Sequence, residues 1–113
     1  MIHSITRRRD FSAFSRSNRG RSATVRARFL PPMPSEDGIW VGFALPKQLG
    51  NAVERNRIRR RLRAALHDLE RDHDGPPSGR YLLGASREAA LSPYLELRAD
   101  LRAAMRRAAG VRT

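Results

Sequence analysis

Apolar residues recur with a helical period in the middle of the chain, directly after Gly50 and Asn51. Asn51 predicts a helix N-cap, and Glu54, three residues later, completes a capping box. At about 100° per residue, five apolar side chains fall in one sector. They are Ile58, Leu62, Ala65, Leu66 and Leu69. The pattern predicts an amphipathic helix that begins after Asn51.

Two segments before this helix alternate between apolar and polar or small residues, as half-buried strands do. Residues 22–30 place apolar side chains on one face and Arg26 and Arg28 on the other. Residues 39–45 also have one apolar face, and their second face is small except for Trp40. That small face either lies under a helix or accepts a ligand.

Near the N-terminus, Asp10 can cap a short helix that carries Phe11 and Phe14 and ends at residues 18–20. The two rings either pack in the core or stack on nucleobases, since every base offers a π-face to an aromatic side chain. Residues 1–9, with three consecutive arginines, predict a flexible basic tail.

Beyond the central helix, the Gly- and Pro-rich residues 75–79 predict a loop, and residues 80–85 predict an apolar strand. Ser92-Pro93 predicts the cap and first turn of a last helix. The order is helix, strand, strand, helix, strand, helix. We therefore predict a single α+β domain over residues 1–113, with a strand–helix–strand unit around the central helix.

Charge points to the partner of the central helix. The 113 residues contain 23 Lys+Arg against 11 Asp+Glu, a formal charge of +12, which is typical of nucleic-acid-binding proteins. Six arginines lie within positions 55–63. An ordinary solvated face would interleave acidic residues at i and i+4, and here only Glu54 is nearby. Because a guanidinium binds phosphate oxygens bidentately, the cluster predicts a polyphosphate partner.

Several classes of protein and site are disfavoured. No cysteine occurs, which excludes disulfides and thiolate metal sites. No apolar stretch is long enough for a signal or transmembrane segment, so we expect a cytoplasmic protein. His67 and His73 lack the i, i+4 spacing that lets two imidazoles share a metal on a helix. With no Gly-rich phosphate loop or serine elbow, we predict no catalytic residues and no metal site.

The segment from Val41 to Arg63 carries a specific motif, with Gly-Asn-Ala-Val at 50–53 and Arg-Asn-Arg at 55–57, followed by further arginines. This order closely resembles the signature of the bacterial ribonuclease P protein subunit, and a looser similarity extends over nearly the whole chain. The resemblance implies a small αβββαβα sandwich, one strand more than the pattern shows. It also implies that the arginine-rich helix lies in a left-handed βαβ crossover, against the usual right-handed rule.

The resemblance further implies that the protein is the non-catalytic subunit of an endoribonuclease. An RNA subunit would bind the Mg²⁺ that activates water, and the protein would bind this catalytic RNA and the 5′ leader of precursor tRNA, without a membrane partner. The implied contacts with the catalytic RNA are Arg55, Asn56, Arg57, Arg59, Arg60 and Arg63. The implied leader contacts are Phe11, Phe14, Trp40 and Lys47, beside which we expect Arg26 and Arg28 to meet the RNA backbone.

Two features depart from the family pattern. The usual small residue and lysine pair before Gly-Asn is Pro46-Lys47-Gln48 here, which leaves one positive charge fewer in the leader cleft. Phe11 and Phe14 stand three residues apart, where the family has four.

Three other functions share some of these features. A ribosomal or other structural RNA-binding protein would share the basic helix, but it has no reason to combine it with this motif and a two-aromatic helix. A helix-turn-helix DNA-binding module needs a second helix where this chain has strands. A stand-alone metal nuclease would need the metal site that the sequence lacks.

Overall fold

The computed structural model describes residues 2–5 and 13–111, without the side chains of residues 15 and 16. They form a five-stranded sheet with two α-helices. The strands are β1 (Ile2–Ser4), β2 (Asn18–Arg21), β3 (Val25–Leu30), β4 (Ile39–Phe43) and β5 (Gly79–Ala85). The helices are α1 (Ala52–Glu70) and α2 (Tyr94–Ala108), and short 3₁₀ turns lie at Ala13–Arg16, Lys47–Leu49 and Arg87–Ala90.

The strand order in the sheet is β1–β4–β5–β3–β2. β4 and β5 are parallel neighbours connected through α1, so the arginine-rich helix lies in the predicted strand–helix–strand unit. β3 pairs antiparallel with both β5 and β2. This mixed architecture confirms the predicted α+β class, and the left-handed sense of the crossover stays a prediction.

α1 forms as its capping box and apolar sector predicted. The Glu54 backbone N–H donates to Asn51 Oδ1 at 2.8 Å, and the Asn51 N–H donates to Glu54 Oε1 at 3.4 Å. All five residues of the predicted apolar sector are buried. One side of the helix therefore packs, which leaves the other side for solvent or a partner.

The core lies between one face of the sheet and the two helices. It combines alternate residues of β3, β4 and β5 with the apolar sides of α1 and α2 in one cluster. Tyr81 is fully buried there, its hydroxyl donates to the Pro77 carbonyl at 2.7 Å, and burial raises its pKa above the usual range. α2 also presses directly on β2, because a Cβ added at Gly20 would clash with the backbone of Ala104 and Ala108. Both helices thus cover the same face of the sheet.

Two predictions for the N-terminal third are wrong. Residues 2–4 do not belong to a flexible tail, since they form edge strand β1, paired in parallel with β4. Residues 18–21 do not end a helix but form β2, hydrogen-bonded to β3, which supplies the additional strand that the resemblance implied. Both strands are short, and β2 is polar apart from Gly20, so neither shows the alternation by which strands are predicted.

The remaining N-terminal predictions fall partly outside the described residues. Residues 6–9 of the predicted tail lie there, together with Asp10 and Phe11 of the predicted first helix. The part of that helix within the described residues is the 3₁₀ turn Ala13–Arg16. No helix in the described part of the chain is long and apolar enough to cross a membrane.

Candidate nucleic-acid interface

The outer side of α1 presents the predicted basic surface. Asn56, Arg57, Arg60 and Arg63 are exposed, whereas Arg59 is half-buried and donates from Nη1 to Asn56 Oδ1 at 2.7 Å. The Arg63 guanidinium lies 5.6 Å from the centroid of the Phe43 ring, which permits a cation–π contact. We call these five polar residues the α1 face.

The acidic residue nearest the α1 face does not neutralise it. Glu54 takes part in the capping box, and its Oε2 lies 3.3 Å from Nη2 of Arg87, a residue outside the helix. The positive charge of the α1 face therefore remains for an external anion.

Arg61 and Arg55 have different surroundings from the other arginines of the cluster. Arg61 is half-buried, and its guanidinium donates to the Ala89 carbonyl at 2.6 Å and to the Ser92 carbonyl. These bonds tie α1 to the segment that leads into α2. Arg55, a predicted contact with the catalytic RNA, is also half-buried, and its Nε is shielded from solvent. It is thus less accessible than the residues of the α1 face.

A second link fixes the C-terminal half of α1. The Tyr94 hydroxyl donates to the Asp68 carboxylate, and Arg98 Nη1 lies 3.8 Å from the same oxygen. Burial, together with the hydrogen bond to Asp68, raises the pKa of Tyr94. The helix that carries the α1 face is therefore held at two separate points, by the segment before α2 and by α2 itself.

The sheet face opposite the helices carries a second basic site, a cleft of about 750 Å³. Its lining includes side chains from β2, β3 and β5 and from the segment after β4. The residues that give it its character are Arg19, Arg21, Arg26, Arg28, Pro46 and Gly84. We call it the sheet cleft.

The arginines of the sheet cleft stand in like-charged pairs. Arg19 is directly opposite Arg28, and Arg21 is directly opposite Arg26 in the antiparallel β2–β3 ladder. Like charges directly opposite each other destabilise a strand pair. Two such pairs side by side concentrate positive charge on this face of the sheet.

The structure brings only some of the predicted leader residues to the sheet cleft. Arg26 and Arg28 line it, and Lys47 is exposed in the 3₁₀ turn that directly follows Pro46 at its edge. Ala44 also lines it, so the small face of the β4 segment is open there, as the ligand alternative requires. The cleft therefore contains two of the predicted cations, Arg26 and Arg28, and Lys47 follows its lining residue Pro46 in the chain.

Two of the predicted aromatic contacts, Phe14 and Trp40, are not among the residues that line the sheet cleft. Phe14 is only 1% exposed, so it is a packing residue in this conformation and cannot stack on a base without moving. Its carbonyl accepts a hydrogen bond from Arg28 Nη1 at 3.0 Å. Trp40 is half-buried, stacked on His3 with ring centroids 4.3 Å apart, and lies roughly 13 Å along the strand from Ala44 at about 3.3 Å per residue. Phe11 lies outside the described residues.

Sequence reasoning missed Arg19, Arg21 and Gly84. Asn18-Arg19-Gly20 is also typical of a helix end, which obscures the strand, although the i, i+2 spacing of Arg19 and Arg21 around Gly20 is that of one strand face. His67 and His73 are exposed, and the described residues bring together no group of three His, Cys, Asp or Glu side chains that could hold a metal. The features that define the candidate interface are therefore the positive charge of the α1 face and the basic sheet cleft.

We predict that Arg61 and Arg60, adjacent on α1, differ in their contribution to stability. Arg61→Ala should lower the free energy of unfolding by about 1–3 kcal/mol, because it removes charged hydrogen bonds to two part-buried carbonyls. Arg60→Ala is the matched control and should change it by less than about 0.5 kcal/mol, as expected of an exposed residue. Urea denaturation followed by circular dichroism measures both. Equal losses would contradict a structural role for Arg61.

Comparison with known proteins identifies the family to which the chain is similar. The Ribonuclease P family model matches residues 2–109. The chain is 38% identical over 108 residues to the ribonuclease P protein component of Ruegeria pomeroyi, covering 94% of this chain and 86% of that protein. It is 34% identical over 113 residues to that of Gluconacetobacter diazotrophicus, covering 97% and 93%.

Solved structures show the same fold. The Staphylococcus aureus RNase P protein is similar with a TM-score of 0.77 at 20% identity, covering 94% of each chain. The Thermotoga maritima protein is similar with a TM-score of 0.71 at 19% identity, covering 88% of this chain and 91% of that one. From the family model and the sequence relatives together, we conclude that this chain belongs to the ribonuclease P protein family.

Proposed function

We propose that this chain is the protein subunit of a ribonuclease P ribonucleoprotein and contacts two RNAs at once. The α1 face, with Arg55 beside it, would bind the catalytic RNA, and the sheet cleft would bind the 5′ leader of precursor tRNA. The observation that carries the proposal is the presence of two separate arginine surfaces on a member of this family. One lies on a helix that packs against one face of the sheet, and the other lies on the opposite face.

The proposed contribution of the protein is electrostatic. Two RNAs repel each other, and a protein that presents arginines to both lowers that repulsion and releases condensed counterions from each. The contacts of Arg61 and Asp68, in the middle and near the end of α1, support this role. A fixed helix holds its guanidinium groups in one geometry and loses less conformational entropy on binding.

We propose that the chemical step belongs to the RNA subunit. Mg²⁺ held by that RNA would supply the activated water for hydrolysis of the phosphodiester. The described residues of this chain contain no cluster fit to hold such a metal, so we assign no step of the reaction to a protein-bound ion. What the protein supplies is binding and orientation of the leader, with Arg26, Arg28 and Lys47 near the RNA backbone.

The test of this function is reconstitution with precursor tRNA and Mg²⁺. We expect no cleavage by the protein alone, no matter how much Mg²⁺ is added. With the catalytic RNA, the protein should restore 5′ maturation at low Mg²⁺, where the RNA alone is slow, because the arginines replace part of the screening that Mg²⁺ provides. Cleavage by the pure protein after rigorous removal of RNA would overturn the proposal.

A second prediction concerns the α1 face. Replacing Arg57, Arg60 and Arg63 together by Ala should weaken binding to the catalytic RNA and leave the fold intact, since all three side chains are exposed. Each lost phosphate contact should reduce the slope of log affinity against log salt by roughly 0.7–0.9. Filter binding over a salt series measures this slope, and circular dichroism checks the fold.

The control for that triple variant removes the same charge elsewhere. Arg71, Arg98 and Arg102 lie outside the α1 face and the lining of the sheet cleft, so their joint replacement by Ala should change the slope much less. Equal slopes for the two triple variants would show that only the net charge of the protein matters, and that the α1 face is an ordinary solvated surface.

A third prediction concerns the leader. Lys47→Ala should weaken binding of precursor tRNA to the holoenzyme and leave mature tRNA, which lacks the leader, nearly unaffected. Phe11→Ala should do the same by about 1–3 kcal/mol if that ring stacks on a base. The measured quantity is the ratio of precursor to mature affinity, with thermal unfolding recorded for each variant. A constant ratio in both folded variants would contradict the assignment of the cleft to the leader.

A further inference from the structure

The turn that connects β2 to β3 is flanked by two arginines of the sheet cleft. It consists of Ser22, Ala23 and Thr24, and so contains none of the Gly, Asn, Asp or Pro residues that favour tight hairpin turns. The residue pair next to the turn is Arg21 and Arg26, which are directly opposite each other and repel. The sequence of the turn and the neighbouring charges therefore both favour an open hairpin end.

A residue of α2 closes this turn through two hydrogen bonds. The Thr24 hydroxyl donates to Asp100 Oδ2 at 2.6 Å, and the Ser22 hydroxyl donates to the Asp100 backbone carbonyl at 2.6 Å. Asp100 is 76 residues away from Thr24 in the chain, so this contact exists only in the folded protein. A hydrogen bond to an ionised carboxylate is stronger than one between neutral groups. Asp100 thus holds both ends of the turn, on the side of the sheet that faces away from the cleft.

α2 also holds β2, the strand before the turn. A Cβ added at Gly20 would clash with the backbone of Ala104 and Ala108, so the strand lies directly on the helix. Arg107 Nη1 donates to the Arg21 carbonyl at 2.6 Å. Together with Asp100, these contacts fix the arginine-bearing hairpin to one helix along its inner side.

We propose that Asp100 is a positioning residue for RNA binding in the sheet cleft. By closing the turn against the repulsion between Arg21 and Arg26, it holds these two guanidinium groups in one arrangement. A cleft that is already ordered loses less conformational entropy when a phosphate chain binds. This inference rests on the proposed function and deepens it, because it adds a residue that acts through the hairpin and does not touch the RNA.

Matched substitutions separate positioning from general stability. Thr24→Val removes the hydroxyl and keeps nearly the same side-chain shape, whereas Thr24→Ser keeps the hydroxyl and should restore the parent behaviour. Tyr94→Phe is the control, because it also removes one hydroxyl that donates from or to α2, here to the Asp68 carboxylate of α1. It therefore weakens a comparable contact that does not hold the hairpin.

The measured quantity is the ratio of precursor to mature tRNA affinity of the reconstituted holoenzyme. Thr24→Val and Asp100→Ala should each lower this ratio roughly three- to tenfold, as expected when one or two side chains must be ordered on binding. The double variant should lower it no further, since the two residues form one contact. Thr24→Ser and Tyr94→Phe should stay within about twofold of the parent. An equal loss in Tyr94→Phe would show that only stability matters and would overturn the proposal.

Hydrogen exchange of the free protein tests closure of the turn without RNA. The Ser22 N–H donates to the Val25 carbonyl at 2.9 Å, and the Ser86 N–H donates to the Thr24 carbonyl at 2.9 Å, so both amide protons report opening of the turn. They should exchange about threefold faster or more in Thr24→Val than in Thr24→Ser, because the hairpin end opens locally. Equal exchange in the two variants would overturn the proposal.

The remaining outcomes distinguish failure of this inference from failure of the proposed function. If Thr24→Val leaves the precursor-to-mature ratio constant while Lys47→Ala lowers it, the positioning role is wrong and the leader cleft stands. If neither variant changes the ratio, the assignment of the cleft to the leader is overturned, and the positioning role with it.

Discussion

Burial of the apolar sector of α1 against the sheet and α2 is the interaction on which both basic surfaces depend. Ile58, Leu62 and Leu66 are each at most 1% exposed, and burying such a side chain stabilises the fold by about 1.5–3 kcal/mol. Like-charged pairs one turn apart on a helix cost only about 0.2–0.5 kcal/mol each, so packing outweighs repulsion among the arginines. The same packing turns the α1 face outward and occupies one face of the sheet, while the cleft forms on the other.

Arginine serves two purposes in this molecule, and the net charge alone does not separate them. Arg61, Arg106 and Arg107 donate hydrogen bonds to backbone carbonyls of segments far away in the chain. These bonds, 2.6 to 3.2 Å long, hold α1 and α2 in place. The planar fork of arginine with its several donors suits this role better than the single ammonium of lysine. The exposed arginines of the α1 face and the sheet cleft are then the part of the charge that remains for a partner.

In the free protein, repulsion between the opposed arginines of the sheet cleft lowers the stability of the strand pair, and a bound polyanion would remove this repulsion. Arg19 and Arg28, like Arg21 and Arg26, oppose each other across β2 and β3, and this edge of the sheet is held from the other side by the close contact of Gly20 with α2. A phosphate chain bound there would relieve this repulsion and would therefore stabilise the edge through mass action. A sheet edge supported by a helix on one face can therefore carry a concentrated charge on the other.

The sequence by itself determined the α+β class, the start of α1 and its buried sector, because capping and the periodicity of helices and strands act between residues a few positions apart. It also determined the family, because the motif at residues 50–57 is a continuous stretch of sequence. The tertiary structure decided that residues 2–4 and 18–21 are strands, that Phe14 is buried, and that Arg61 is structural where Arg60 is exposed. Each of these outcomes depends on partners far along the chain or on a neighbouring strand. No local pattern of hydrophobic and polar residues records such partners, because pairing and packing choose them only when the chain folds.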